Sequence, residues 1–180
     1  MSELEISELG LGRREFAKSE DSPCPSPTSP KLLASRFVYS SIIPAPLEKV
    51  WALYADVNTI NHISPTLARV NFERVDLPLR AGSEIVFVGK YPPRLRWHAR
   101  IEEFVSSSHF VDVQVAGPFA EWRHEHIFKA FGDKTEMIDQ VTFRMKGGQV
   151  LNIFFGSLAN LLLRAYFSYR HHRTRILLQK

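Results

Sequence analysis

The stretch that most restricts the fold lies between residues 67 and 145, where six strand-like segments follow one another at hairpin spacing. Apolar and polar residues alternate in each segment, and Gly, Pro, Ser or Asp residues separate them. Segments joined by such short turns pair antiparallel, so the pattern predicts an antiparallel sheet. The predicted strands are Leu67–Val75, Glu84–Tyr91, Arg94–Val105, His109–Ala116, Glu121–Phe131 and Thr135–Met145.

The patterns on either side complete the order of elements. They predict a strand from Ser35 to Pro44, short helices at Pro46–Ala55 and about Asn58–Ile63, and a long helix at about Gln149–Leu178. One strand, two short helices, six strands and one long helix indicate an α+β fold. In this fold a curved antiparallel sheet of about seven strands grips the C-terminal helix, and a cavity lies between them.

Length and composition favour one folded domain. The chain has 180 residues, of which 44% are hydrophobic, enough for one sizeable core. Residues 1–34 are rich in Ser and Pro and predict a disordered tail, which leaves residues 35–180 as the folded domain. The single cysteine, Cys24, excludes an intrachain disulfide. Because no apolar signal core follows Met1, we expect a cytoplasmic location.

The chain has a net charge of +4, and its charged residues are unevenly distributed. No Asp or Glu follows Asp139, so the C-terminal end is a cationic block. This cationic block favours weak contact with an anionic membrane, although cations also suit the C-terminal end of any solvated helix. We expect no nucleic-acid partner, because the aromatic residues among these cations fit a buried helix face better than an exposed groove.

The last helix has one apolar side, and this pattern favours a helix that packs on a sheet. Residues 147–163 carry no charge and approach the length of a membrane span. Helical periodicity nevertheless gathers Leu158, Leu162 and Tyr166 on one side. We expect this side to face the cavity, and we expect His171 and His172 to be solvent-exposed.

Two histidines on one strand face are the strongest functional signal. Alternation in residues 122–128 places Trp122, His124, His126 and Phe128 on the same face. A strand that only closes a core usually points aliphatic groups inward. Imidazoles between large aromatic rings therefore predict a cavity wall that contacts a ligand, water or each other.

The hairpin that follows predicts a partner for these histidines. A turn at residues 131–134 places Phe128 opposite Met137, His126 opposite Asp139 and His124 opposite Val141. Asp139 would then accept a hydrogen bond from His126 and fix its tautomer. Three interpretations remain open: a satisfied buried pair, a ligand contact, or an oriented base for a cyclase or dehydratase.

The sequence offers little support for a metal or cofactor. The two histidines and a carboxylate could supply three ligands in principle, but His98 and His109 lie on other strands. The chain lacks GxxxxGK[ST], GxGxxG, GxSxG and HExxH motifs, so nucleotide hydrolysis and ordinary esterase chemistry lose support. We expect no metal and no cofactor.

Several segments resemble one superfamily. They are residues 41–51, Ala81-Gly82, Trp97, residues 110–119, residues 122–128, residues 139–141 and Tyr169-Arg170. On these segments the chain resembles the START-like or SRPBCC superfamily, with the fold of the birch pollen allergen, and its polyketide cyclase/dehydrase and lipid-transport subgroup. The resemblance implies a helix-grip fold and a cavity for a small hydrophobic or amphipathic molecule.

The resulting hypothesis is binding or transport of a lipid-like, polyketide-like or isoprenoid-like molecule. One alternative is a cyclase or dehydratase, for which His126, Asp139 and His124 are the candidate catalytic residues. Another is a peripheral membrane protein that uses the cationic helix end. The predicted ligand-binding residues are Trp97, Trp122, His124, His126, Phe128, Asp139, Phe143, Leu158, Leu162 and Tyr166.

Overall fold

The structure is a computed structural model that describes residues 34–179, with side chains described outside residues 148–155. The predicted disordered tail and Cys24 lie outside the described residues, except for residue 34. From Ser35 onward, the elements follow the predicted order.

Seven strands and three α-helices form the described part of the chain. Two short 3-10 turns, Val57–Thr59 and Thr66–Ala68, flank the second helix. The elements are β1 Ser35–Ile43, α1 Leu47–Ala55, α2 Ile60–Ile63, β2 Val70–Val75, β3 Glu84–Gly89, β4 Arg96–Val105, β5 His109–Ala116, β6 Phe119–Phe131, β7 Lys134–Met145 and α3 Gly148–Leu178.

All neighbouring strands pair antiparallel in one sheet of order β1-β7-β6-β5-β4-β3-β2. The curved sheet holds α3 against β1 and β7. The predicted α+β helix-grip fold is therefore confirmed. The hairpin register is also as predicted, with His126 opposite Asp139 and His124 opposite Val141.

Some strands are shorter than predicted because turn-forming residues lie next to their ends. β2 begins at Val70 rather than Leu67, because Pro65 precedes the 3-10 turn Thr66–Ala68. β3 ends at Gly89, two residues before the predicted end, and the chain then turns through Pro92 and Pro93.

The face that α3 turns toward the sheet differs from the predicted face. Leu158 and Leu162 are 50% and 62% exposed, so the prediction that they line the cavity is wrong. The buried side chains in the C-terminal half of α3 are Phe167, Arg170, His171 and Thr174, which recur at three- and four-residue spacing. This row is mostly polar, so the periodicity of apolar residues indicates the wrong side of the helix.

The sequence pattern predicts that His171 is solvent-exposed, and this prediction is wrong. Its side chain is completely buried, whereas its neighbour His172 is exposed. The burial is possible because the ring finds polar partners on the sheet. No α-helix in the described residues is both long and apolar enough to cross a bilayer.

Two apolar clusters fix the sheet against the helices. The larger cluster centres on Trp51, whose ring makes edge contacts with Phe104, Phe110 and Phe128. In the smaller cluster, Phe143 packs with Phe37, Val141 and Phe167 under α3. Trp51 is thus a core residue, as expected. Phe143 and Phe128 are also core residues, although the sequence predicted that they contact ligand.

Phe143 and Phe131 provide a matched test of this assignment. Phe143 is completely buried, whereas Phe131 is 62% exposed at the end of β6. We expect Phe143→Ala to lower the free energy of unfolding by about 3–5 kcal/mol through cavity formation. Phe131→Ala should change it by less than about 0.5 kcal/mol. Urea unfolding followed by circular dichroism measures both values, and equal effects would contradict the assignment.

Candidate functional site

A cavity of about 480 Å³ opens between the sheet, the first two helices and α3. Its walls are mainly apolar because β3, β4 and β6 point aromatic and aliphatic side chains toward it. The aromatic residues in the wall are Tyr54, Phe72, Phe87, Tyr91, Trp97, Phe110, Trp122, Tyr166 and Phe167, and aliphatic residues include Ile63, Leu79, Ile85 and Ile101. Such a volume and lining are typical of small-molecule sites.

One part of the wall is polar and comes from β5 and β6. Asp112 on β5 is the register partner of His124 on β6, and His126 lies two residues further along the same face. Asp112, His124 and His126 all line the cavity. Strand geometry therefore brings one carboxylate and two imidazoles to the same surface.

Behind this surface, a buried carboxylate holds the histidines in place. Asp139 on β7 is completely buried. Its Oδ1 accepts a hydrogen bond of 2.9 Å from His124 Nε2, and its Oδ2 accepts one of 2.6 Å from His171 Nε2. His171 Nδ1 lies 2.8 Å from the hydroxyl of Ser41 on β1. We call Asp112, His124, His126, Asp139 and His171 the histidine–aspartate cluster.

His126 occupies a different position in the cluster from the predicted one. Its Nδ1 is 2.7 Å from Asp139 Oδ1, but this nitrogen is not aligned for a hydrogen bond. The aligned partner on β6 is His124. The His126 ring instead stacks on Phe110, with ring centroids 4.2 Å apart.

Burial and the paired charges determine how the cluster titrates. Burial alone would raise the pKa of Asp139, but His126, His124 and His171 hold it well below the ordinary value. The pKa of Asp112 is also lowered, because contacts with His124 and His126 outweigh burial. Burial would lower the pKa of His124, yet the carboxylates of Asp112 and Asp139 raise it. The cluster thus favours charged carboxylates.

Arg170 is the other charged group of the cavity wall and comes from α3. It is only 6% exposed, and its guanidinium lies 5.4 Å from the ring centre of Tyr54 and 5.6 Å from that of Tyr166. Within the described part of the chain, its Nε has no hydrogen-bond partner. None of the described carboxylates forms an ion pair with it. A buried guanidinium with unused donor capacity favours an acceptor from outside the protein.

The structure separates the predicted site residues into two groups. Trp97, Trp122, His124, His126 and Tyr166 line the cavity. The others, Phe128, Asp139, Phe143, Leu158 and Leu162, are absent from its lining. Of these, Asp139 acts indirectly because it orients His124.

Sequence reasoning missed Asp112, Tyr54 and His171. Asp112 had a usable signal, because alternation places it on the same face of β5 as Phe110. A carboxylate on an otherwise apolar face indicates a buried polar partner. Tyr54 and His171 had no comparable signal, since their roles depend on how helices pack on the sheet.

The arrangement offers two kinds of chemistry. An imidazole oriented by a carboxylate can exchange a proton with a bound molecule. The donor set of Asp112, His124 and His126, whose ligand atoms all lie within 4.8 Å of one another, also has the composition of a metal site.

A family comparison matches most of the folded part. Residues 43–167 match the family described as polyketide cyclase / dehydrase and lipid transport. A comparison with curated proteins gave no match.

Solved structures show the same fold. StfQ, the di-domain ARO/CYC of the steffimycin biosynthetic pathway, superposes with a TM-score of 0.64 at 9% identity, covering 82% of this chain and 51% of that one. A START superfamily protein from Mycobacterium smegmatis superposes with a TM-score of 0.57 at 9% identity, and the match covers 81% of this chain and 97% of that one. TTHA0849 from Thermus thermophilus superposes with a TM-score of 0.56 at 19% identity, and the match covers 77% of this chain and 96% of that one. At these identities the likeness shows the fold alone.

The burial of His171 predicts a pH dependence of stability. Burial lowers the pKa of His171, although its hydrogen bond to Asp139 acts in the opposite direction and the nearby Arg170 and Arg175 add to the lowering. Below the ordinary value of about 6.5, the unfolded chain binds a proton that the folded chain does not. The contribution of His171 to stability therefore falls as pH decreases from about 7.5 to 5.5.

The variant His171→Asn should show a smaller loss of unfolding free energy over this pH interval than the wild type. His172→Asn, at the exposed neighbouring position, should keep the wild-type slope. Urea unfolding at several pH values measures the slopes. A His171→Asn slope equal to that of the wild type would contradict the account.

Proposed function

Because the chain belongs to the polyketide cyclase/dehydrase and lipid-transport family, we propose that it binds an amphipathic small molecule in its cavity. The apolar body of this molecule contacts the aromatic walls, and an acceptor group, such as a carboxylate or carbonyl oxygen, contacts Arg170. The observation that carries the proposal is the buried Nε of Arg170, unpaired among the described residues, at the wall of an apolar cavity.

The walls support an apolar ligand body through their size and composition. Trp97 and Trp122 are half-buried, with ring centroids 5.2 Å apart, and both border the cavity. Rings that border open space on one side are available for contact with a second ring or a hydrocarbon chain. Burial of such a ligand gains roughly 25 cal/mol for each Å² of apolar surface removed from water.

The polar wall supports a ligand with an acceptor group rather than a pure hydrocarbon. Arg170 keeps its charge under all ordinary conditions, because nearby tyrosines and carboxylates raise its pKa despite burial. An acceptor at the guanidinium would satisfy the donor capacity that the described protein groups leave unused. Hydrogen bonds to charged groups are worth about 1.5–3 kcal/mol.

An enzyme of the cyclase or dehydratase type is the second candidate. It is favoured by His126, which borders the cavity and lies 3.4 Å from Asp112 Oδ2 and 2.7 Å from Asp139 Oδ1. In that role His126 would remove a proton next to a substrate carbonyl. Turnover of a polyketide-like substrate that is lost in His126→Gln, while ligand binding persists, would favour this candidate.

The membrane-surface alternative has weaker support. Two cations of the C-terminal block already contact the protein, since Arg173 Nε donates to the carbonyl of His62 and Arg175 Nε donates to that of Ile42. The sequence-based hypothesis of contact with anionic membranes stays a prediction.

The role of Arg170 is testable with dodecanoic acid and its methyl ester as probes. We expect the wild type to bind the acid, and we expect Arg170→Met to weaken that binding by about 10- to 100-fold, the range that corresponds to a charged hydrogen bond. The ester offers Arg170 only an uncharged carbonyl oxygen, so the substitution should lower its affinity by a smaller factor. Isothermal titration calorimetry measures both. The variant should fold, because it removes a buried cation and keeps an unbranched apolar side chain.

Arg164→Met is the matched control, since Arg164 is exposed on the same helix. It should leave both affinities unchanged. If the wild type binds neither probe, the proposed ligand class is wrong. If Arg170→Met and Arg164→Met behave alike, Arg170 does not recognise the acceptor group.

A further inference from the structure

Three side chains of metal-ligand type converge on the cavity wall from two paired strands. Asp112 and His124 are register partners on β5 and β6, and His126 follows on the same face. We infer that these three residues form a binding site for one divalent transition-metal ion. The inference departs from the sequence-based expectation of no metal, and it does not depend on the proposed small-molecule ligand.

The spacing of the donor atoms fits a metal ion. His124 Nδ1 and His126 Nε2 each lie 3.4 Å from Asp112 Oδ2. Hydrogen bonds of the N–H···O type are usually about 2.7–3.2 Å long, so both contacts are longer than the common range. Ligands at about 2.0–2.2 Å from a tetrahedral metal are separated by about 3.3–3.6 Å. The two nitrogen-to-oxygen gaps match that separation, and all three donor atoms lie within 4.8 Å of one another.

The other nitrogen of each imidazole faces a carboxylate, as in known metal sites. His124 directs Nε2 to Asp139 Oδ1, which leaves Nδ1 on the side of Asp112. His126 has Nδ1 beside the same Asp139 oxygen, which leaves Nε2 on the side of Asp112. A ligating histidine almost always donates its other N–H to such a partner, which fixes ring orientation and tautomer, and His124 meets this pattern.

Asp139 is itself held in place by a hydrogen bond from α3. Its second oxygen accepts the hydrogen bond from His171, whose other nitrogen contacts Ser41. The carboxylate that completes the donor set is therefore Asp112, while Asp139 positions His124 by a hydrogen bond and lies beside His126 Nδ1. The sequence pattern predicts a pairing of Asp139 with His126 and does not indicate Asp112 as the ligating carboxylate.

The composition and location of the site indicate which ions it takes. Two imidazoles and one carboxylate suit Zn²⁺, Co²⁺ or Fe²⁺ rather than Ca²⁺ or Mg²⁺, which prefer oxygen ligands. All three residues border the cavity. Three protein ligands with access to a cavity are typical of sites that keep a position open for water or a substrate.

The test is a Zn²⁺ titration of the chelator-treated full chain in competition with a chromophoric chelator. We expect one ion per folded wild-type chain. Asp112→Asn and His126→Gln should each weaken binding by about 100-fold or more, since even loss of a partner behind a ligand costs about 10- to 100-fold. Circular dichroism establishes that each variant is folded.

Exposed histidines provide the controls. His62→Gln and His172→Gln, both at exposed positions, should retain wild-type affinity and stoichiometry. The inference is overturned if the folded wild type binds no stoichiometric Zn²⁺. It is equally overturned if binding survives Asp112→Asn and His126→Gln, or if it disappears with the surface substitutions.

A second measurement, quenching of tryptophan fluorescence by Co²⁺, leaves the three metal-ligating residues unchanged. The Trp122 ring is 6.2 Å from that of His124, so Co²⁺ bound at the site should quench Trp122 fluorescence. Stoichiometric Co²⁺ should therefore quench wild-type emission, and it should quench a smaller share in Trp122→Phe. Wild-type emission that is unchanged by stoichiometric Co²⁺ would contradict the inference even if the ligand variants failed to fold.

Discussion

The buried carboxylate of Asp139 is the interaction on which the rest of this structure depends. Moving a charged carboxylate out of water is costly unless hydrogen bonds and opposite charges compensate for the loss. Here His124 supplies one partner from β6 and His171 supplies another from α3. One charged group thus joins the hairpin β6–β7 to the C-terminal helix, which explains why a histidine on that helix is completely buried.

The position of α3 follows from this contact, and it determines the chemistry of the cavity wall. With His171 directed at β7, the preceding residue Arg170 faces the cavity, and Tyr166, one turn earlier, borders it as well. The same row of the helix therefore contacts the sheet and borders the cavity. On the opposite wall, Asp139 orients His124, whose remaining nitrogen faces Asp112. Asp139, which joins the sheet to α3 through His171, therefore also orients His124 in the cavity wall.

Much of the fold could be predicted because its signals are local. Alternation and turn residues indicated the seven strands, and the short turn between β6 and β7 indicated the register that pairs His126 with Asp139. The cavity-facing positions of Trp97, Trp122, His124 and His126 followed from strand periodicity in the same way.

The rest could not be predicted because it depends on contacts between distant elements. The buried side of α3 is determined by polar partners such as Asp139 and Ser41 and not by apolar periodicity, which is why the prediction for Leu158 and Leu162 is wrong. Phe128 and Phe143 lie on the predicted face of the sheet, but helix packing covers them. Whether an inward residue meets a ligand or a helix is decided by tertiary packing.

The central claim is that the cavity between sheet and helix holds an amphipathic ligand. The indole N–H signals of the three tryptophans test it directly in a titration with dodecanoic acid followed by NMR. Trp97 and Trp122 border the cavity, whereas Trp51 is a buried core residue outside its lining. The account predicts saturable shifts of the Trp97 and Trp122 signals with a much smaller change for Trp51. Unchanged Trp97 and Trp122 signals at saturating acid would contradict it.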